Sequence, residues 1–331
     1  MTTKDKLLSL LESNKGEYLS GEEIAQTLNV SRNTIWKTIN TLREAGYEID
    51  AISNKGYCLS ETTDILSPQG ILKYLNEDYH FLEIEVLDEV ESTNTLLRAY
   101  ANQGAKEGTV LIANAQSNGR GRQGREFYSP QDTGVYLSLL LRPEAMKPTQ
   151  AANFTTMAAV AGTQAIELVS QKETSIKWVN DLYVNHKKVS GILTEAAIVL
   201  ENGNLDYVVL GIGMNAYAPK SGFPEDIQDI AGPIFTEFVV DGKNRLAAEF
   251  LNHFLAIYYH DHESNYVDTY RNKCFIIGQD ILVHSVDGIK PAKALSLDDA
   301  CHLLVQYEDG SQETLSSGEI SIKVGESNEN K

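Results

Sequence analysis

A chain of 331 residues, 42% apolar and 22% charged, has the make-up of a folded protein of two or three domains. No apolar run approaches the ~18 residues of a membrane span, and a formal charge of −18 excludes general affinity for nucleic acid. Cys58, Cys274 and Cys301 are odd in number and lack CxxC spacing, which excludes a disulfide framework or zinc site and points to a reducing cytoplasm.

The charge is unevenly spread. Between Met1 and Gly56 stand seven Lys/Arg and eight Asp/Glu, a net of −1 that leaves −17 for the rest. Any contact with DNA must therefore come from this N-terminal module. Met1–Lys6 leads into an amphipathic helix, not a signal peptide, with its apolar stripe at Leu7, Leu8, Leu10 and Leu11. Ser20-Gly21-Glu22-Glu23 has capping-box spacing and starts a second helix. After a turn at Asn29-Val30, Ser31 caps a third, whose apolar face is Ile35, Ile39 and Leu42. Gly46 ends it, and Ile49–Ile52 with Tyr57–Leu59 read as a hairpin. This is the pattern of a winged helix-turn-helix, whose third helix turns Arg32, Asn33, Trp36, Lys37 and Asn40 toward a major groove. Asn33 and Asn40 have the amide geometry to read adenine edges, whereas Arg32 and Lys37 suit phosphates. With so few cations one copy binds weakly, so a dimer is expected.

Glu61–Pro68 is a polar linker. It suggests domains at 1–62, 63–272 and 273–324, with a disordered tail at 325–331. Beyond the linker, strands are expected at Phe81–Val86, Thr109–Ala113, Val135–Arg142 and Tyr207–Gly211. Helices are expected at Ser92–Asn102, Asn153–Ser170 and Leu246–His262. Lys177–Val184 reads as one strand, Asn185–Lys188 as a tight turn and Val189–Glu195 as the returning strand. Hairpins beside helices make the class α+β with a mixed or mostly antiparallel sheet. From Cys274 onward, short strands with turns at Asp287-Gly288 and Asp309-Gly310 suggest a small SH3-like β-barrel.

Chemistry concentrates in two segments. Gly119-Arg120-Gly121-Arg122-Gln123-Gly124-Arg125 alternates glycines, which admit close backbone approach, with forked cations suited to carboxylate and phosphate. Alone, the run reads equally as a solvated basic turn. The Lys177–Glu195 hairpin adds Asn180, Asp181 and Lys188; alone, Lys187-Lys188 is a solvated hairpin tip. Together they suit a polyanion and a metal-bound phosphate. Asp181 reads alternatively as a carboxylate paired with a nearby lysine, and Ser92 or Thr93 as a helix N-cap. His260-Asp261-His262 point in different directions on a helix, so they read as a solvated helix end, not a metal site.

GRGRQGREFYSP, KWVNDLYVNHKKVSGILTEA and the later GIGMN resemble, in that order, the motifs of biotin–protein ligases. The N-terminal region resembles the DNA-binding arm of the bifunctional ligases that also repress the biotin operon. The resemblance spans roughly residues 1–324. It implies a central mixed-sheet, class II synthetase-like domain that makes biotinyl-5′-AMP from biotin and ATP. Biotin then passes to a lysine of a biotin carboxyl carrier protein. It further implies operator DNA as a partner and a homodimer once adenylate is bound. By the same resemblance, Ser92, Thr93, Asn94, Gln116, Arg120, Gly121, Arg122, Lys188 and Gly191 hold biotin. Arg120, Arg122, Arg125, Phe127, Asn180, Lys188 and Asn215 hold ATP or the adenylate. Lys188 and Arg122 act on the reacting groups, and Asp181 binds Mg²⁺. Phe127 replaces a tryptophan that stacks on adenine in relatives, losing area and the indole donor. Val179 stands where the motif commonly has proline. Two other readings stay open: a biotin-sensing repressor without catalysis, and lipoate or octanoate transfer on the same scaffold. The intact cation set argues against the first, and the GRGRQGR segment against the second.

Overall fold

The computed structural model of the chain describes residues 2–144, 146–199, 203–260, 266–285 and 288–322. Helix α1 (Thr3–Ser13) opens on a capping box in which Thr2 and Asp5 satisfy each other's backbone amides. The S-x-x-E spacing at Ser20 and Glu23 forms the same device for α2 (Gly21–Leu28). Asn29, in the left-handed region, ends α2, and Ser31 caps α3 (Arg32–Glu44). Strands β1 (Ile49–Ile52) and β2 (Gly56–Leu59) form the wing, with Ile49 opposite Leu59. Gly56 is obligatory there: at φ +107 a Cβ would lie 1.9 Å from the Leu19 carbonyl oxygen. Leu7, Leu11, Ile24, Ile35, Ile39, Leu42 and Leu59 bury a core of this winged helix-turn-helix, on which Ile65 of the linker also packs and which is separate from that of the central sheet.

Next come α4 (Pro68–Leu72), β3 (Glu83–Val90), α5 (Thr93–Asn102), β4 (Thr109–Gln116), β5 (Gly134–Leu141) and α6 (Ala151–Ser170). They are followed by β6 (Ser175–Lys177), β7 (Asp181–Val184), β8 (Lys187–Ile198), β9 (Leu205–Asn215), α7 (Gly242–His260) and α8 (Tyr266–Lys273). The central sheet has the order β3-β4-β5-β9-β8-β7-β6, with β3 parallel to β4 and every other neighbouring pair antiparallel. Helix α6 packs on β8 and on α7, and its small residues let it lie close to the sheet. At Gly162 a Cβ would come within 2.7 Å of Leu182. Strands β10 (Asp280–Ser285), β11 (Gly288–Leu297), β12 (Leu303–Tyr307), β13 (Gln312–Leu315) and β14 (Glu319–Ile322) form the small C-terminal β domain, in the antiparallel order β13-β12-β11-β10-β14. Its buried Ile281, Ala294, Leu303, Val305 and Ile320 belong to the same apolar core as the central sheet. Among the described residues no helix is long and apolar enough to cross a membrane.

Two strand predictions need correction. Lys177–Val184 is not one strand, because β6 turns back on β7 through Trp178–Asn180 and sets Lys177 opposite Asp181. The Trp178 indole is buried and donates to the Cys301 carbonyl at 2.9 Å, while the Asn180 carbonyl accepts from the Ile192 amide at 3.0 Å. These tertiary contacts override a run of good strand formers. The Trp178–Val179 peptide is cis. The strand expected to stop at Gly211 runs on to Asn215, so GIGMN is not a segment after a strand but the end of β9. Its glycines serve closeness instead of a turn: a Cβ on Gly211 would lie 2.2 Å from Asn94 Oδ1, and one on Gly213 2.4 Å from the Phe127 ring. The hairpin turn is shorter than expected. Asn185 and His186 supply both positive φ values, and Lys187 already pairs with Val184. Asp261, His262, Asp287 and the tail 325–331 lie outside the described residues.

Because the winged unit has its own core, damage to that core should stay local. Ile39→Ala removes a fully buried side chain and should destabilise the unit by about 2–5 kcal/mol. Calorimetry should show a lowered first transition with the main one little changed.

Candidate active site

The two motif segments and the end of β9 meet over the central sheet in an open cleft. It is lined by Ser92, Thr93, Asn94, Gln116, Arg120, Gly121, Arg122, Arg125, Phe127, Asn180, Asp181, Lys188 and Gly191. Gly211 and Gly213 form part of its floor.

At one end lies a polar network. Ser92 caps α5, its Oγ accepting from the Thr95 amide at 3.5 Å. The Thr93 amide donates to Gln116 Oε1 at 2.9 Å, and Gln116 Nε2 donates to Ser129 Oγ at 2.9 Å. Ser138 Oγ lies 2.7 Å from Thr93 Oγ1 and 2.6 Å from Asn94 Oδ1. Asn94 Nδ2 donates to Glu195 Oε2 at 3.0 Å. The cap reading of Ser92 is therefore correct, and the same helix start also faces the cleft.

The cations line the rest, and four of them have an internal acceptor. Arg120 meets Glu195 at 3.0 Å, and Arg122 Nη1 donates to Asn180 Oδ1 at 3.1 Å. Arg125 pairs with Glu319 of β14, and Lys188 with Asp181 at 2.7 Å. Asn180 Nδ2 in turn donates to Asp181 and to the Ile192 carbonyl. Burial pulls the Arg122 guanidinium below its ordinary value. Lys177 also lines the cleft; burial lowers its pKa, Asp181 opposes that shift and Lys188 adds to it. A cation held partly out of water gains more from an incoming anion than one on the open surface.

Phe127 lies against the glycine floor, with Gly213 beneath its ring, and meets Tyr136 edge-on at 6.4 Å. The tightest backbone approaches fall on Gly119, Gly211 and Gly213, whereas a Cβ at Gly121 or Gly191 would meet its nearest neighbour at 3.3 Å. Asn215 does not line the cleft. Its Nδ2 donates to the Gly232 carbonyl at 3.3 Å, at the base of the loop 216–241. That loop runs along Lys188: the Lys188 amide donates to the Ile230 carbonyl at 2.7 Å, and the Gly232 amide to the Lys188 carbonyl at 3.0 Å.

Sequence reasoning missed Ser129, Ser138, Lys177, Glu195 and Glu319. Ser129, Lys177 and Glu195 lie inside the recognised segments and so carried a local signal, whereas Ser138 and Glu319 carried none. On the winged unit, Arg32, Asn33, Trp36 and Lys37 are exposed and Asn40 half-buried, all on α3; Trp36 is 53% exposed, unusual for its size.

Family models match three stretches: the biotin/lipoate A/B protein ligase family over residues 86–215, an HTH domain over 3–58, and the biotin protein ligase C-terminal domain over 276–323. The chain is 32% identical over 317 residues to the bifunctional ligase/repressor BirA of Bacillus subtilis, covering 93% of this chain and 95% of that one. It is 34% identical over 210 residues to the BirA of Escherichia coli, covering 63% and 62%. The structure of the biotin protein ligase from Aquifex aeolicus in complex with biotin and ATP aligns with a TM-score of 0.58 at 26% identity, covering 73% of this chain and 98% of that one. A match running from the winged unit through the cleft to the last sheet means that this chain belongs to the bifunctional ligase/repressor branch of the biotin/lipoate A/B protein ligase family.

Proposed function

We propose that the cleft joins biotin to ATP as biotinyl-5′-AMP and passes the biotinyl group to a lysine of a biotin carboxyl carrier protein. We propose that the winged unit carries the adenylate signal to operator DNA. One observation carries the ligase reading: five cations converge on a glycine-floored cleft beside a neutral hydrogen-bonding network. That combination suits a ligand with a polar ring at one end and a carboxylate at the other, next to a triphosphate.

In this reading Ser92, Thr93, Asn94 and Gln116 receive the ureido ring, and Gly121 and Gly191 flank the chain that follows. Arg120, Arg122 and Lys188 hold the valerate carboxylate against the α-phosphate. A carboxylate oxygen attacks phosphorus and the bond to pyrophosphate breaks, so negative charge moves from the attacking to the leaving oxygen. Lys188, a point cation already beside Asp181, exchanges that partner for the moving charge. Arg122 and Arg125 follow the phosphates, each charge-assisted bond contributing about 1.5–3 kcal/mol. Adenine takes the face of Phe127 turned away from the glycine floor, and Asn215 supports the adenylate through the loop 216–241. A carrier lysine amine then attacks the acyl carbon, AMP leaves, and the amine loses its proton.

Among the described residues no three His, Cys, Asp or Glu side chains group as a metal site. Asp181 with Asn180 fits a Mg²⁺ that arrives on the nucleotide and keeps phosphate and water oxygens around it. Such an ion would screen the phosphates against the carboxylate. On the winged unit, Arg32 and Lys37 take phosphates while Asn33, Trp36 and Asn40 face bases. Pairing of two copies when adenylate fills the cleft supplies the phosphate contacts that one copy lacks.

Incubation with biotin, Mg-ATP and a carrier domain should raise the carrier mass by one biotinyl group; an unchanged mass leaves only the sensor reading. Lys188→Ala should slow adenylate formation roughly 10²-fold while biotin still binds by calorimetry, and full turnover would remove Lys188 from the mechanism. Lys37→Ala should weaken operator and random DNA alike and flatten the salt dependence by about one unit. Sedimentation with and without biotin and ATP should show a heavier species only with both.

A further inference from the structure

The winged unit and the cleft are joined by a buried ionic hub. Lys15, just beyond α1, reaches Asp241, the last residue before α7; their side chains are 4% and 0% exposed. Lys15 Nζ also donates to the Thr63 carbonyl at 2.5 Å and lies 3.8 Å from Glu12. Asp241 further accepts from Lys73 at 3.0 Å and from the Tyr74 hydroxyl at 2.7 Å. Surface ion pairs hold little, but a buried carboxylate that loses one of its cations is strongly destabilised.

The position of Asp241 gives the hub its meaning. It closes the loop 216–241, whose Ile230 and Gly232 hydrogen-bond the backbone of Lys188. The start of that loop is held too, since the Tyr217 hydroxyl donates to Asp64 of the linker at 2.9 Å. Asp64 also accepts from the amide of Lys243, the second residue of α7, at 3.2 Å. Both ends of the loop beside the cleft cation are thus fastened to the winged unit or its linker.

We infer that Lys15, a residue of the DNA-binding unit, is a positioning residue for the ligase cleft, acting through Asp241 and the loop 216–241 to hold Lys188 and the bound acyl-adenylate. The inference rests on the reading that this cleft forms the adenylate. By linkage, an adenylate that needs the ordered loop tightens the docking of the winged unit as much as that docking tightens the adenylate.

The test measures the dissociation rate of biotinyl-5′-AMP from the full chain by chase, for wild type, Lys15→Met, Lys15→Arg and the surface control Lys6→Met. Lys15→Met should release adenylate about tenfold faster. Lys15→Arg should restore much of the retention, and Lys6→Met should match wild type. Equal release by wild type and a folded Lys15→Met, or the same loss in Lys6→Met, overturns the inference. If Lys15→Met does not fold, Tyr217→Phe carries the test, because freeing the other end of the loop must also speed release. Failure of the wild type to form any adenylate would instead overturn the ligase reading.

Discussion

Like charges brought into one cleft repel, and at 4 Å the cost is ~4 kcal/mol per pair even at an effective dielectric constant of 20. Arg120, Arg122, Arg125, Lys177 and Lys188 line a single cleft, so its existence depends on what stands beside each. Glu195, Asn180, Glu319 and Asp181 do so, and they come from three different strands and the β6–β7 turn. The sheet order places β7, β8 and β9 side by side, and β14 closes over from the C-terminal domain. An entering carboxylate or phosphate therefore replaces an acceptor already in place, a carboxylate for Arg120, Arg125 and Lys188 and a carboxamide for Arg122, and does not have to gather scattered cations. Little reorganisation is left for the moment of reaction, which is where electrostatic catalysis gains most.

The same economy links the two halves of the molecule. The loop 216–241 touches Lys188 at its middle, and its ends are anchored near residues 15 and 64. A ligand that stiffens the loop thus acts on the N-terminal unit without a relay across the sheet. This is coupling by direct contact, with few intermediates to lose energy.

What the sequence revealed was local. The capping box at Ser20, the wing hairpin and the existence of a turn from Asn185 follow from spacings of a few residues, whereas the box at Thr2 and the turn's two-residue length appear only in the folded chain. The recognised motifs likewise carried most of the cleft lining. What it hid was long-range. Glu195 reaches Arg120 across 75 positions and Glu319 reaches Arg125 across 194; Glu195 lies within a recognised segment that does not name its partner, and nothing near Glu319 marks it. The turn at Trp178–Asn180 was misread because its neighbours are strand formers, and its cause, the bond from Trp178 to Cys301, spans 123 residues. The glycines of GIGMN were visible, but their purpose emerged only with Asn94 and Phe127 lying against them.

The two terminal units differ in how they are joined to the middle. The winged unit keeps its apolar residues to itself and meets the centre largely through polar groups, whereas the last sheet shares its core with the central domain. Gene truncation from the front would uncover mainly ions and hydroxyls that water can solvate. Truncation from the back would strip aliphatic surface bare and take away the carboxylate that faces Arg125. A lineage could thus shed its regulator without baring an apolar core, at the cost of the Lys15 anchor on Asp241, but no such shortcut is open at the other end.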